Sequence, residues 1–398
     1  MSYEIAASGL NAVNEQLDGI SNNIANAGTV GYKSQTTQFS AMYAGSQAMG
    51  VSVAGTAQSI SRGGSMVSTG NNLDLAINDD GFFVMCDSAG NISYTRAGSF
   101  TTDKNGYIVN SAGDYLQGYP VDDSGTLQTG TVSDIQIQTG NIPAEATTSL
   151  NFVANFDASD DVIDTTAIPF DASDVNSYND SYTTTVYDSL GNEHSVSQYF
   201  TKTADNTWQV HYTFDGEEQS TTTDLTFDST TGKLLSPTTA PSLTFTTSDA
   251  APIVMSFDYS SCTQYGSDFS VTTNDADGYA SAEQNGVQVD NDGKVYATYS
   301  NGERMLQGQV VLATFPDENG LEAVSGTAWV QTGESGTPLI GVPGSGSCGT
   351  LSSGMLEGSN VDLTSELVDL MTAQRNYQAN TKVISTSTQL DDALFQAM

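Results

Sequence analysis

The amino-acid sequence predicts a mixed α and β protein that is mainly β, with its helices confined to the two ends. All nine prolines lie between Pro120 and Pro343, so both terminal segments lack the residue that most strongly breaks helices. Apolar residues in both terminal segments recur in steps of three and four, as they do in coiled coils. The middle of the 398-residue chain instead shows short alternating runs separated by Gly, Asn, Asp and Ser, which favour turns.

The N-terminal segment carries an apolar seam that is about three heptads long. Its positions alternate in steps of three and four and therefore share one helix face: Tyr3, Ala6, Leu10, Val13, Leu17, Ile20, Ile24 and Ala27. Asn26, Ala27 and Gly28 then supply a helix stop, because Asn and Gly tolerate the left-handed backbone. We predict that residues 1–30 are helical.

The C-terminal segment, residues 360–398, repeats this period. Every seventh position is apolar, one more apolar residue lies between, and the pattern continues after a slip: Leu363, Leu367, Leu370, Tyr377, Ile384, Leu390, Leu394 and Met398. A helix must bury such a stripe. We expect the two terminal helices to pair with each other and with those of neighbouring copies. Docking of both helices on the chain's own globular part is the alternative.

The middle of the chain, roughly residues 71–358, is predicted to be β-rich. Runs at 82–84 and 94–96 flank a turn at 88–91, and 103–106 signals another hairpin. Further alternating runs cover 182–186, 208–214 and 295–299. Two β domains are expected. Residues 34–70 lack a clear period, which predicts an extended connector.

Charge excludes several classes of function. The formal net charge is −37 and only ten Lys and Arg are present, too few for a surface that contacts phosphates or anionic membranes. Residues 150–285 hold 21 acidic residues against two basic ones, which fits an exposed outer domain. No secretory signal pattern and no apolar stretch long enough for a bilayer is visible.

Candidate chemical motifs are weak, and we expect neither a cofactor nor a metal site nor an enzyme. Gly344–Gly349 matches G-x-G-x-x-G but lacks a βαβ context. The two histidines have no metal-ligand spacing, and the Asp-rich runs at 275–278 and 290–293 do not complete an EF-hand loop. The acid pairs Asp160/Asp161 and Glu217/Glu218, and the lone cysteines Cys86, Cys262 and Cys348, have no evident catalytic partner.

Motifs at the two ends identify a family. Residues 21–33 (SNNIANAGTVGYK) and residues 356–363 (LEGSNVDL), followed by Gln374–Tyr377, resemble the signatures of bacterial flagellar rod and hook axial proteins. The positions that carry this resemblance are Asn22, Asn23, Asn26, Thr29, Gly31, Tyr32, Lys33, Ser359, Asn360, Val361, Asp362, Gln374 and Arg375.

The middle of the chain extends the resemblance. Residues 73–77, 94–98 and 116–119 are similar to the shared β domain of the family, and residues 186–192 with Trp208 are similar to the extra domain of its hook members. The resemblance implies an inner helical domain (1–30 and 360–398) and an extended linker (31–70). It further implies an inner β domain (71–149 and 286–358) that carries an outer inserted β domain (150–285).

The resemblance also implies a function. The chain would be a structural, non-enzymatic subunit of the flagellar hook, outside the cell, that polymerises into a flexible tube and transmits motor torque. Its partners would be further copies of itself, the distal rod, the hook cap, the hook–filament junction proteins and the flagellar type III export apparatus. The residues expected at the self-assembly interface are Leu10, Val13, Leu17, Ile20, Ile24, Leu363, Leu367, Leu370, Tyr377, Ile384, Leu390 and Leu394. A rigid distal rod protein and a secreted β-domain adhesin are the competing interpretations.

Overall fold

The computed structural model describes residues 2–44, 47–122, 125–247 and 250–397. The chain divides into two compact units. Unit 1 comprises Met1–Thr139, Asn285–Thr298 and Arg304–Met398, and unit 2 comprises Gly140–Gln284 and Tyr299–Glu303. Within these described ranges, helices occur only in unit 1. They are two long helices and one short 3-10 turn at Glu318–Gly320. The prediction of a mainly β protein with terminal helices is confirmed.

The two helices, α1 (Ser2–Ala25) and α2 (Leu363–Ala397), pair with each other. Asn23 bonds Glu366, while the Cα of Gly9 faces the side chain of Asn380, so the helices run antiparallel. Their shared core is small and apolar and consists of Val13, Ile20 and Ala373, flanked by Leu17, Ile24 and Leu370. Both helices therefore bury one stripe against the other, as their heptad spacing requires.

A long antiparallel hairpin follows α1, with strands Gln35–Ala44 and Gln47–Gln58. Much of the segment 31–70, which was expected to be an extended linker, thus forms a regular hairpin. Most hairpin side chains are exposed or half-buried on both faces, so the sequence has no apolar alternation that could reveal the strands. The hairpin packs along α1, where the Thr37 hydroxyl donates to the carbonyl of Glu15.

A 13-stranded sheet supplies most of the remaining structure described for unit 1. Its main path runs through Gln284–Val289, Lys294–Tyr299, Arg304–Val310, Tyr115–Pro120, Phe82–Cys86, Ile92–Thr95, Ala328–Val330 and Glu322–Val324. Five strands join beside this path: Thr101–Thr102, Ile108–Val109, Ser133–Asp134, Leu312–Thr314 and Leu339–Gly341. Two small antiparallel pairs complete the set: Leu75–Asn78 with Thr350–Ser353, and Met66–Ser68 with Met355–Glu357.

The β part of unit 1 has an aromatic core. The rings of Phe82, Tyr94, Phe315 and Trp329 meet edge-on with centroids 4.8–5.9 Å apart. Edge-on contacts are favoured because the positive ring edge faces the negative ring face. The indole of Trp329 also donates to Gln58 Oε1 at 2.8 Å, which ties the end of the hairpin to this core.

Unit 2 is built from two sheets. The five-stranded sheet contains Ser242–Phe245, Ile253–Asp258, Ser149–Asp157, Thr263–Tyr265 and Ser270–Ala276, as far as the described residues show. The six-stranded sheet contains Asp180–Tyr187, Glu193–Ala204, Thr207–Phe214, Glu217–Glu218, Thr223–Phe227 and Leu234–Ser236. The alternation predicted at 182–186 and 208–214 corresponds to strands of the second sheet.

The two sheets of unit 2 enclose one core. Every second residue of strand Ser149–Asp157 points inward, and the same is true of the first half of strand Thr207–Phe214. The rings of Phe152 and Phe200 stack at 5.5 Å, and Phe156 contacts Trp208 at 5.1 Å. Because these rings come from both sheets, unit 2 is a β-sandwich.

Candidate self-assembly surface and helix junction

The C-terminal helix leaves most of its apolar side chains in solvent. Leu363, Leu367, Tyr377 and Leu390 are between 39% and 65% exposed. Leu363 and Leu367 are one helical turn apart, and Met371, also exposed, extends their row by another turn. Val368, Val383 and Leu390 add exposed apolar surface on other sides of the helix. A helix of this kind has more apolar surface than its one partner in the chain covers.

Five of the residues predicted for self-assembly pack against each other within one copy of the chain. Val13, Leu17, Ile20, Ile24 and Leu370 line the contact between α1 and α2. Ala373, which the heptad analysis did not single out, is fully buried there. Of the predicted heptad row, Leu370 lies in this contact, whereas Leu363 and Tyr377 remain exposed.

Three further residues were predicted for the self-assembly interface: Leu10, Ile384 and Leu394. Leu10 and Ile384 are half-buried, and the side chain of Leu394 lies outside the described residues. Further exposed apolar side chains lie on α1 and on the hairpin, and of these only Tyr3 belongs to the predicted seam: Tyr3, Ile5, Phe39, Met42, Tyr43 and Val53. Exposed apolar surface of this extent is typical of interaction surfaces.

The family motifs meet where the helices join the β part of unit 1. Lys33 follows α1 and its ammonium lies 2.8 Å from Glu357 Oε1, with both side chains about 1% exposed. The ammonium also donates to the carbonyl of Arg62 at 2.8 Å. Burial lowers the pKa of Lys33, and the hydrogen bond and charge of Glu357 oppose that shift. The two motifs, 324 positions apart, thus form one buried ion pair.

Hydrogen bonds of Asn23 and Tyr32 connect the end of α1 to the segment that follows it. Asn23 is buried, accepts hydrogen bonds from the Tyr32 hydroxyl at 3.1 Å and the Gln35 amide at 2.8 Å, and donates to Glu366 Oε1 at 2.9 Å. Burial is the main cause that raises the pKa of Tyr32, and it also raises the pKa of Glu366. The amide therefore connects the end of α1, the start of the hairpin and the first turn of α2.

Asn360 performs the same task from the other end of the chain. Its side-chain oxygen accepts from the Ser34 amide at 2.7 Å, and its side-chain nitrogen donates to the carbonyls of Ser59 and Arg62, each at 2.9 Å. One buried amide thus holds three chain segments that pass between the helices and the β part of unit 1. An amide is suited to this because it donates and accepts at once.

The other motif residues either shape the local backbone or have half-buried or exposed side chains. Thr29 donates to Asn26, which donates to Asn22, and this chain of bonds closes the end of α1. Asp362 accepts from the Thr364 amide at 2.9 Å and caps α2, which lowers the pKa of Asp362. Gly31 has φ +70°, and an added Cβ would lie 2.6 Å from the Ala97 nitrogen, so only glycine fits. Ser359 and Val361 are half-buried, and Gln374 and Arg375 are exposed on α2.

Two residues of this junction were not predicted as site residues. Glu357 is one of 47 acidic residues and its partner lies at the other end of the chain, so no local pattern distinguishes it. Arg96 is also buried, and its Nη1 lies 3.6 Å from Glu357 Oε2. It directly follows a strand in the β part of unit 1. The sequence signal for this ion pair was Lys33 itself. A lysine directly after a helix stop is unusual in a protein with so few basic residues, and this indicates that it has an acidic partner.

No alternative chemical site forms among the described residues. None of the described His, Cys, Asp and Glu side chains gather in threes where they could hold a metal ion. Cys86, Cys262 and Cys348 are free thiols, and burial raises the pKa of Cys262 to about 11. Gly344–Gly349 lies between two strands with no following helix. Neither α1 nor α2, as far as it is described, is long and apolar enough to cross a membrane.

Family profiles match four segments of the chain. The flagella basal body rod protein profile covers residues 4–33 and the flagellar hook protein FlgE/F/G D1 domain profile covers 76–155. The flagellar basal body protein FlaE D2 domain profile covers 155–279, and the flagellar basal body rod FlgEFG protein C-terminal profile covers 352–397.

Relatives that match over nearly the whole chain distinguish hook proteins from rod proteins. The chain is 41% identical to the flagellar hook protein FlgE of Salmonella typhimurium, with 99% of each chain covered. The chain belongs to the flagellar hook protein FlgE family. The FlgE of Escherichia coli K12 is 40% identical with 99% of each chain covered, and that of Borreliella burgdorferi is 30% identical with 96% covered.

A solved FlgE structure shares the fold. The flagellar hook protein FlgE2 of Helicobacter pylori superimposes with a TM-score of 0.55 over 72% of this chain and 98% of that one, at 14% identity. As a FlgE family member, this chain is a structural subunit of the extracellular flagellar hook and not an enzyme. The hook is the flexible joint that transmits motor torque from rod to filament.

Proposed function

We propose that this hook subunit polymerises by packing its terminal helices, as a coiled coil, against those of neighbouring copies. The observation that carries this proposal is the exposed apolar surface of α2, represented by Leu363, Leu367 and Met371. Burying one such side chain contributes about 1.5–3 kcal/mol. Several burials per copy, repeated along a polymer, are enough to drive assembly without any change in the α1–α2 pair.

The heptad residues then have two separate roles in this proposal. Val13, Ile20 and Leu370 hold α1 and α2 together within one copy, and the exposed residues of α2 contact other copies. Leu10, Leu17, Ile24, Ile384 and Leu394 lie along the same stripes and would extend either contact. The exposed apolar residues of the hairpin, such as Phe39 and Tyr43, add a second self-assembly surface.

The layered arrangement is part of the same proposal. The paired helices would form the innermost layer of the tube, and unit 2, as an inserted domain, would face outward. Its 21 acidic residues within 150–285 keep contacts between neighbouring copies weak, because like charges repel across short distances and salt screens them over about 8–10 Å. Strong inner and weak outer contacts allow a tube to bend while it resists twist.

Family membership supports the remaining partners. The distal rod, the hook cap and the hook–filament junction proteins would contact the two ends of the polymer. The flagellar type III export apparatus would deliver the chain. Three free thiols and no disulfide among the described residues are compatible with passage of an unfolded chain.

The test is a pair of variants on α2 that add the same charge. Leu367→Asp places a carboxylate in the exposed apolar row, and Asn376→Asp places one on an exposed polar position of the same helix. We expect hooks from cells with Asn376→Asp and none from cells with Leu367→Asp, because an unpaired buried charge costs several kcal/mol in every copy. The secreted Leu367→Asp chain should keep the thermal unfolding profile of the natural chain.

Leu370→Asp separates the two roles of the stripe. This substitution lies in the contact between α1 and α2, so it should both lower the stability of the helix pair and block assembly. Normal hooks from Leu367→Asp would refute the proposal that the exposed face of α2 carries self-assembly.

A further inference from the structure

The buried ion pair of the helix junction belongs to a larger cluster of charges, which we call the charge node: Lys33, Arg96, Glu318 and Glu357. Arg96 and Glu357 are 3% and 1% exposed, and their nearest charged atoms, Nη1 and Oε2, lie 3.6 Å apart. Burial raises the pKa of Glu318, and the charges of Arg96 and Lys33 oppose that shift. Lys33, Arg96 and Glu357 are therefore buried together, and the half-buried Glu318 is close enough to feel the charges of both cations.

Arg96 is fixed on the β side of this node. Its Nη1 donates to the carbonyl of Asp79 at 2.8 Å, and its guanidinium lies over the ring of Phe82 at 5.1 Å. Phe82 is fully buried in the aromatic core of unit 1. A guanidinium that is held by a carbonyl and an aromatic face has little freedom to move.

Glu357 is fixed on the helix side of the node. Its Oε1 accepts from Lys33 Nζ and from the Gly64 amide at 2.9 Å, and its backbone carbonyl accepts from the Gly31 amide at 2.8 Å. Its Oε2 has no hydrogen-bond donor, and Arg96 is the cation that faces it. Every segment that leads to or from the helices is thus attached to Glu357 or to its partner Lys33.

We propose that Arg96 is a positioning residue that couples the helix pair to the β part of the same unit by acting through Glu357. Without the guanidinium, Glu357 Oε2 would face no cation, and Lys33 alone would offset the buried Glu357 and the half-buried Glu318. A buried charge without compensation is strongly unfavourable, so Glu357 would move toward solvent and release Gly31 and Gly64. The helices would then pivot on a loosened junction, and a hook built from such subunits would bend more easily.

The experiment compares two arginines of unit 1. Arg96→Met removes the guanidinium of the node. Arg304→Met removes one that also pairs with a carboxylate, Asp290 at 3.1 Å, and also lies over an aromatic ring, Tyr296 at 4.4 Å, but is solvent-exposed. Hydrogen exchange is measured on isolated hooks of both variants and of the natural protein, and hook curvature is measured on the same samples by electron microscopy.

We expect Arg96→Met to accelerate exchange of the Gly31 and Gly64 amides by about tenfold or more, and to change hook curvature, because opening of the junction becomes less costly. Arg304→Met should leave both amides and the curvature unchanged. If Arg96→Met yields no hooks, exchange is measured on the purified full-length chain instead. Unchanged exchange of Gly31 and Gly64 in Arg96→Met, in hooks or in the free chain, would overturn the proposal.

Discussion

Replacement of Lys33 by methionine tests how much the buried ion pair contributes to unit 1. Methionine keeps most of the length of the side chain but removes the ammonium, together with its bonds to Glu357 Oε1 and the Arg62 carbonyl, each 2.8 Å long. Glu357, which is 1% exposed, is left with the Gly64 amide and the more distant Arg96. Removing one partner of a buried pair costs about 3–5 kcal/mol.

The double variant Lys33→Met with Glu357→Leu supplies the decisive comparison. It removes both charges of the pair, so the remaining cost comes from the unbonded Gly64 amide and Arg62 carbonyl and from Arg96, which loses the carboxylate that it faces but keeps the Asp79 carbonyl and the Phe82 ring. We expect this cost to be smaller than that of the single variant. Urea unfolding followed by the fluorescence of Trp329, in a Trp208→Phe background, reports on unit 1 alone because these are the two tryptophans of the chain. A single variant within about 1 kcal/mol of the parent, or a double variant worse than the single one, would refute the reasoning.

Three further predictions concern other parts of the molecule. Gly31→Ala should lower the free energy of unfolding of unit 1 by about 1–3 kcal/mol because of its positive φ. Gly28→Ala, where an added Cβ meets nothing within 4 Å, should be nearly neutral in the same urea titration. Burial lowers the pKa of His194, but its bonds to Asp215 (2.7 Å) and Asp188 (3.4 Å) outweigh this and leave the pKa raised. The stability that unit 2 gains from the charged imidazole is therefore complete below the ordinary pKa of 6.5 and is lost as the pH rises through the raised pKa; unfolding titrations of His194→Gln should lack this pH dependence. Deletion of Gly140–Gln284, whose ends pair at Ile142 and Ala282, should leave hooks that assemble but have altered curvature in electron micrographs, and a complete loss of assembly would contradict the outward-facing role proposed for unit 2.

The terminal helices could be predicted from the sequence because their apolar period is long and their segments contain no proline. The exact seam could not, because Ala373 contributes little hydrophobic signal yet is fully buried between α1 and α2. Leu363 and Tyr377 fit the heptad equally well but remain exposed. A period identifies a helix and one face of it, whereas the choice among neighbouring rows depends on the shape of the partner.

The helix junction illustrates a different limit of sequence reasoning. The resemblance singled out Asn23, Lys33 and Asn360 as motif residues, and the structure shows that all three are buried hydrogen-bonding groups. Glu357, the partner of Lys33, lies inside the C-terminal motif but shows nothing locally that separates it from other acidic residues. The pairing depends on tertiary contacts over hundreds of positions, which a single sequence does not encode in any periodic form.

The separation of Lys33 and Glu357 has a consequence for the order of folding. Unit 2 is formed almost entirely by the continuous stretch Gly140–Gln284, so its sandwich depends on contacts within that stretch. The junction instead closes a loop of more than 300 residues, and closure of a long loop is slow and entropically unfavourable. A previously folded unit 2 shortens that loop by holding residues 140 and 284 near each other. The middle of the chain should therefore acquire its structure first, and the two ends should join last.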